Sequence, residues 1–329
     1  MGGAATQARY QSSIMATIKI PDQLKADVPQ TKWGKTLMAT PVVMTVIATM
    51  LAGLASSEMT RAQYDRSLGA QRQSKAGDQW SFFQAKKLRS ALQRNALDLL
   101  QSSAELHPVD AGLLKSLVHS SPQALALLDS PAGQQTASFL QSGELPGNTA
   151  PAVFDERIKA ALDAVDALKP DAEIAAILTG KSGVSEKMLD EAVRVAKERA
   201  DGFDTTTAPI NKAIDQLDKA LNAPGVPQDG RRDFTAARLR YATARYDAEA
   251  RLNQAIASLF ELQVRKSNIS AEHHHARSQR FFYGMLAAQM AVIVSTFAIA
   301  ARQRNLLWSL AAAAGIVAIA VAIYVYLFV

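Results

Sequence analysis

Three consecutive imidazoles, His273-His-His275, have the most evident capacity for chemistry in this chain: metal ligation, or proton exchange near neutral pH. Their spacing argues against a metal. Successive residues of a helix point about 100° apart, so three neighbours cannot converge on one ion, and helical histidine ligands come at i, i+4. Glu272 and Ala276, which flank the run, supply no second ligand at that spacing. The cluster reads as a polar collar. Thr179-Gly-Lys-Ser182 has the ending of a phosphate-binding loop, but the glycine required five residues before Gly180 is Ala175. Ala175 lies in Ile174-Ala-Ala-Ile-Leu178, which reads as helix, so Gly180 is expected to end a helix rather than wrap a phosphate. The carboxylate pairs Asp163/Asp166 and Asp215/Asp218 sit at i, i+3 on amphipathic stretches and read as solvated faces. The Asn268-Ile-Ser270 sequon falls in the middle of a helical stretch. With no cysteine in the chain, disulfides, thiol catalysis and cysteine-bound metals are excluded. No catalytic, cofactor-binding or metal-binding residue is expected, and the chain does not read as an enzyme.

The segments around these residues are more informative. Leu37 to Ala55, Phe281 to Ala301 and Leu306 to Val329 are apolar and almost uncharged, the last two joined by Arg302-Gln-Arg-Asn305. At 1.5 Å per residue each can cross a hydrocarbon core of about 30 Å. The reading is an integral membrane protein with helices over 36–55, 281–301 and 306–329, an extended basic segment over 1–35 and one large domain over 56–280. The first span also resembles a secretory signal, ending in Gly53-Leu-Ala55, but its long charged lead favours an uncleaved anchor.

The formal net charge of +6 does not point to nucleic acid. Residues 56–280 carry 29 Lys+Arg against 28 Asp+Glu, and a balanced mixture gives little counterion release. The partners expected are membrane lipid, further copies of the chain and other membrane proteins.

From 57 to 106, and again from 231 to 280, the chain is helix-forming and free of proline. Matched lengths, each leading to an apolar run, predict an antiparallel pair. Two adjacent apolar stripes on the second stretch, one through Tyr241, Ala248, Leu252 and Leu259 and one through Leu239, Tyr246, Ile256 and Phe260, need more than one partner helix. A bundle therefore fits better than a two-stranded coiled coil. Prolines divide 108–229 into short helices, expected at Val153–Leu168, Asp171–Leu178, Ser185–Ala200 and Thr207–Leu221. The predicted fold class is all-α: three transmembrane helices and a helical bundle built on a long helix pair.

Inside the apolar segments, Thr45, Thr49 and Gly53 recur every fourth residue, as do Ala311 with Gly315, and Ala314 with Ala318 and Ala322. Small residues at this spacing let helices approach closely, and the Ala314–Gly315–Ala318 face is expected to carry self-association. Gln289 is the one strongly polar side chain deep in a span and is expected to hydrogen-bond another helix.

Asp78-Gln-Trp-Ser-Phe-Phe-Gln-Ala-Lys86 resembles the DQW-x-x-x-QAK signature of a bacterial membrane family of unknown function, family 4337 in the domain-of-unknown-function series. The resemblance takes in Trp33 ahead of the first span, the helix after it, and the close of the chain with Gln289 and Trp308. It leaves out 108–229. It implies the membrane architecture and the signature positions Asp78, Gln79, Trp80, Phe83, Gln84, Ala85 and Lys86, and brings no activity or cofactor. Physically, Trp80, Gln84 and Lys87 share a face at i, i+4, i+7, and Asp78 after Gly77 could cap a restarted helix. That face reads as a packing seam against the returning helix.

These features predict a non-catalytic membrane scaffold or assembly protein, oligomeric and in a bacterial inner membrane; a membrane-bound sensor or an accessory subunit of a channel or transporter is the alternative. The two arginines of the short turn put that turn and the amino terminus in the cytoplasm and the domain in the periplasm.

Overall fold

The structure, a computed structural model, describes residues 32–146, 152–180, 183–300 and 304–328. Every regular element among the described residues is helical. In chain order they are α1 (Lys32–Ser103), α2 (Ala111–Leu117), α3 (Pro122–Asp129), α4 (Pro131–Ser142), α5 (Glu156–Asp166), α6 (Asp171–Thr179), α7 (Glu186–Leu221), α8 (Gln228–Ala300) and α9 (Arg304–Phe328). The all-α class and the long helix pair are as the sequence predicts. Residues 1–31, 147–151, 181–182, 301–303 and 329 lie outside the described residues, and with them most of the basic lead and the first half of the expected turn; Arg304 and Asn305 already belong to α9.

The chain divides into two compact units, one of Met1–Ala62 with His273–Val329, the other of Gln63–Glu272. In the first, three helical segments are long and apolar enough to cross a membrane by length and composition. They pack through two small cores. One holds Met44, Ala48, Ala288, Ala291 and Ala318. The other holds Leu51, Ala55, Phe281 and Val325.

The second unit is built on α1 and α8. Arg72 bonds Ser267, Trp80 bonds Glu261 and Ser90 bonds Thr243, so numbers rise on one helix as they fall on the other: the pair is antiparallel. The sequence suggests a break at Gly77 with Asp78 as a cap; α1 instead runs unbroken through both, and Asp78 is exposed. A helical glycine costs only about 1 kcal/mol relative to alanine, which one long helix packed along its length absorbs. Lys32–Lys35, expected to be extended, already belong to α1.

Two cores flank the pair. Leu114, Leu128, Leu140, Leu217, Phe234 and Tyr241 lie in the core that α2, α3 and α4 form with the second half of α7 and the start of α8. Ile158, Leu178, Leu189, Ile256, Leu259 and Phe260 lie in the core that α5 and α6 form with the first half of α7 and the middle of α8. The two cores divide α8 along its length: Tyr241 of one stripe enters the first, and Leu259 of that stripe joins Ile256 and Phe260 of the other in the second.

Several prolines begin helices rather than break them. Pro122 and Pro131 occupy the first turns of α3 and α4, where the missing N–H has no intrahelical acceptor to lose, and Ser121 and Ser130 cap them. Ser185 caps α7, accepting from the Met188 N–H. The two helices expected at 185–200 and 207–221 are one, with Pro209 inside. Proline in a helix interior costs about 3 kcal/mol, whereas Ile210, Ile214, Leu217 and Leu221 beyond it are all buried at helical spacing, each contributing roughly 1.5–3 kcal/mol. Burial wins.

Candidate functional site

The signature lies on the α1 face that meets α8. The Trp80 indole N–H donates to Glu261 Oε1 at 2.8 Å, and its ring meets Phe83 edge-on with centroids 5.4 Å apart. Lys86 pairs with Glu249, whose carboxylate also takes Arg245 Nη1 at 3.2 Å. Beside this pair, Lys87 and Arg94 share Asp247, each at 3.1 Å. The seam therefore runs through Trp80, Phe83, Lys86, Lys87 and Ser90, at the three-and-four spacing of a helix face. Gln84, expected on it, is exposed, as are Asp78 and Ala85.

Gln79 and Lys86 also line a cleft of about 720 Å³ between α1, α7 and α8, with Asp204, Glu249, Leu252 and Ile256. Burial raises the Asp204 carboxyl above its ordinary range, and the nearby Glu249 charge adds to the rise. Lys86 and Arg245 both sit over the Tyr246 ring, at 5.6 and 4.3 Å from its centroid. A paired, largely desolvated Lys–Glu–Arg cluster fixes the register of two helices. It presents no nucleophile beside a base.

Further along the pair, Arg72 is buried and holds Ser267 Oγ and Glu186 Oε1, both at 2.7 Å, tying α1 to α8 and α7. Lys266 donates to the carbonyls of Leu178 and Val184, and its ammonium is pushed below its usual range by burial. Arg72 and Lys266 lie outside the signature and carry no signal in the sequence that singles them out. The partners of Lys86, Lys87 and Arg94 do carry one: Asp247 and Glu249 of α8 oppose those bases of α1 in antiparallel register.

In the first unit, His274 Nδ1 hydrogen-bonds Glu58 Oε2, and Arg277 Nη1 lies 3.6 Å from Glu58 Oε1. Glu58 is buried there, at 7 % exposure. His275 instead contacts Gln279, while the His273 and His274 rings meet edge-on with centroids 5.8 Å apart.

The small residues of the apolar segments separate into two groups. Ala311, Gly315 and Ala318 are buried, and a Cβ on Gly315 would meet Met44 Sδ at 3.1 Å. Ala314 and Ala322 are partly covered. Gly315 and Ala318 pack within the chain, against Met44 and its neighbours in the first apolar segment. Thr45, Thr49 and Gly53 are exposed, and nothing lies within 4 Å of a Cβ on Gly53. Gln289 is exposed beside Thr45 and Thr49, in a groove of about 430 Å³.

No curated protein and no solved structure matches the chain. The family model described as Domain of unknown function (DUF4337) matches residues 33–124. That segment contains the first apolar stretch and the whole signature, and reaches α3; the match does not take in the closing apolar segments. Over residues 33–124, which carry Trp80 and Lys86 on the face that meets α8, the chain is DUF4337-like, as its signature indicates.

Proposed function

We propose that this chain is a non-catalytic integral membrane scaffold or assembly protein of the bacterial inner membrane, which self-associates through helix–helix contacts. The observation that carries this reading is Gln289. It sits in an apolar segment, on an exposed face, with no hydrogen-bond partner among the described residues. In hydrocarbon an unpaired carboxamide costs several kcal/mol, so a span holding one there calls for a partner helix. Thr45 and Thr49 beside it spend their hydroxyl protons on the backbone carbonyls of Pro41 and Thr45, which leaves their oxygens free to accept. A second copy supplies what is missing, because two carboxamides can each donate to and accept from the other across a two-fold axis.

Arg302 and Arg304 in the short connection between the last two apolar segments support a cytoplasmic amino terminus and a periplasmic domain. A reporter fused near Gly225 tests that orientation: periplasmic activity is expected, and a cytoplasmic signal overturns it.

Gln289→Leu tests the assembly reading. Leucine inserts at least as well as glutamine, so insertion persists while the mass of the purified particle falls. An unchanged native mass overturns the proposed interface.

A further inference from the structure

The α1–α8 pair of the second unit has two long sides. The cleft that meets α7 uses Glu249, Leu252, Asn253 and Ile256 of α8. A second groove, of about 460 Å³, uses Arg240, Ala244, Asp247 and Arg251. At 100° per residue the two sets point in nearly opposite directions, so this groove lies on the side of the pair that α7 does not cover.

Its charge is unusual for this unit. Residues 63–272 hold 26 Lys+Arg against 27 Asp+Glu. The groove gathers Lys87, Arg94, Arg240 and Arg251 around one acid, Asp247. Asp247 is already paired, with Lys87 on one oxygen and Arg94 on the other. Arg240 and Arg251 are exposed and make no ion pair among the described residues. Concentrating unpaired cations raises the energy of the empty groove, and an anion of matching shape recovers it.

The register fixes the shape of that anion. Lys87 and Arg94 lie on either side of Asp247, so in an antiparallel pair Arg251 falls towards Lys87 and Arg240 towards Arg94. The groove is thus basic at both ends and acidic at its centre, with Ala244, Leu97 and, from the segment after α4, Leu145 as its apolar lining. Asp247 repels a single compact anion from the middle. The seven residues from Lys87 to Arg94 correspond to about 10 Å of helix. Two negative groups that far apart, with apolar atoms between them, match the surface, and acids seven residues apart on a helix provide this. A groove between two antiparallel helices also has the form that a third helix fills.

We infer that this groove docks an acidic amphipathic helix of a partner protein, with carboxylates at i and i+7 held by Lys87/Arg251 and Arg94/Arg240. The inference deepens the assembly reading by naming a partner chemistry. It uses a different surface from Gln289, so either can fail while the other stands.

The test is fluorescence anisotropy of the full chain in neutral detergent with a labelled helical peptide carrying paired glutamates seven residues apart. Two control peptides carry glutamine for glutamate, or the second pair moved by four residues. Binding that weakens at least tenfold in both controls, in the Arg240→Gln/Arg251→Gln variant and at high salt is the expected result. Arg251 makes no ion pair, whereas the Arg240 stem lies against Gly143 at the end of α4, so Arg251→Gln alone, without peptide, should melt no lower than the parent. Equal binding of the glutamine peptide overturns the inference. So does tripolyphosphate binding as tightly as the spaced peptide, which would mark a site for any polyanion. A lowered melting temperature of Arg251→Gln overturns it too, since that arginine would then be structural.

Discussion

Lys86 of the signature and Glu249 of α8 form an ion pair in which the glutamate is 4 % exposed and is also held by Arg245. A buried carboxylate that loses a cation keeps its desolvation cost, so removing one partner costs more than removing both. Lys86→Met should destabilise by about 2 kcal/mol, below the usual cost of an orphaned buried charge because Arg245 remains. Lys86→Met/Glu249→Leu should recover much of that loss. A double-mutant cycle by denaturant unfolding checks this, with a coupling of about 1–2 kcal/mol expected. Strictly additive losses would remove the pair as a fixed point of the helix register.

Asp204 gives a pH signature. Burial, then the Glu249 charge, hold its folded pKa above the unfolded value. For an acid the raised direction means that the folded state binds the proton more tightly. Its ionised form therefore opposes folding at neutral pH, and that opposition is relieved as pH falls through the folded pKa. Asp204→Asn should raise the melting temperature at pH 7, with the gain shrinking as pH falls towards the carboxylate range. A gain of equal size at both ends of that range would mean that charge is not its cause.

Gly133 sets helix propensity against packing. In the first turn of α4, alanine is favoured over glycine by up to about 1 kcal/mol. Yet a Cβ at Gly133 would lie 1.9 Å from the Leu127 carbonyl oxygen and 2.7 Å from Leu128 Cα, backbone atoms that cannot swing aside. Gly133→Ala should therefore destabilise by roughly 2 kcal/mol or more, read as a drop in melting temperature of several degrees. A neutral or stabilising result would mean that the α3–α4 corner adjusts freely.

Much of this fold is legible in the sequence because its determinants are local. Apolar length marks the three membrane-compatible segments, the lack of proline marks the long pair, and Ser185 marks the start of α7. What was not legible depends on tertiary contact. Pro209 reads as a break until the burial of Ile210, Ile214, Leu217 and Leu221 is known. Trp80 and Lys86 can be placed on one helix from sequence, but their partners Glu261 and Glu249 lie more than 160 residues away and follow only from the antiparallel register. Small residues behave likewise. Spacing marks Thr45, Thr49 and Gly315 as able to approach a helix, but it does not say which helix.

The helix that Gly315 approaches decides the last prediction. A Cβ there would meet Met44 Sδ at 3.1 Å and Cε at 3.3 Å, both at the end of a flexible side chain of the same chain. Gly315→Ala needs Met44 to shift by a few tenths of an ångström and should cost little. Gly315→Leu adds three further carbons to a closed face and should cost roughly 1–3 kcal/mol by overpacking. Since the contact lies within one chain, that loss should appear as a lower melting temperature with native mass unchanged. Gln289→Leu should do the reverse, lowering the mass while the melting temperature of the single chain holds. Measuring both variants by native mass spectrometry and thermal unfolding separates internal packing from assembly. If Gly315→Leu dissociates the particle and Gln289→Leu does not, the interface runs along the third apolar helix, and the exposed Thr45–Gln289 face is not the one that joins copies.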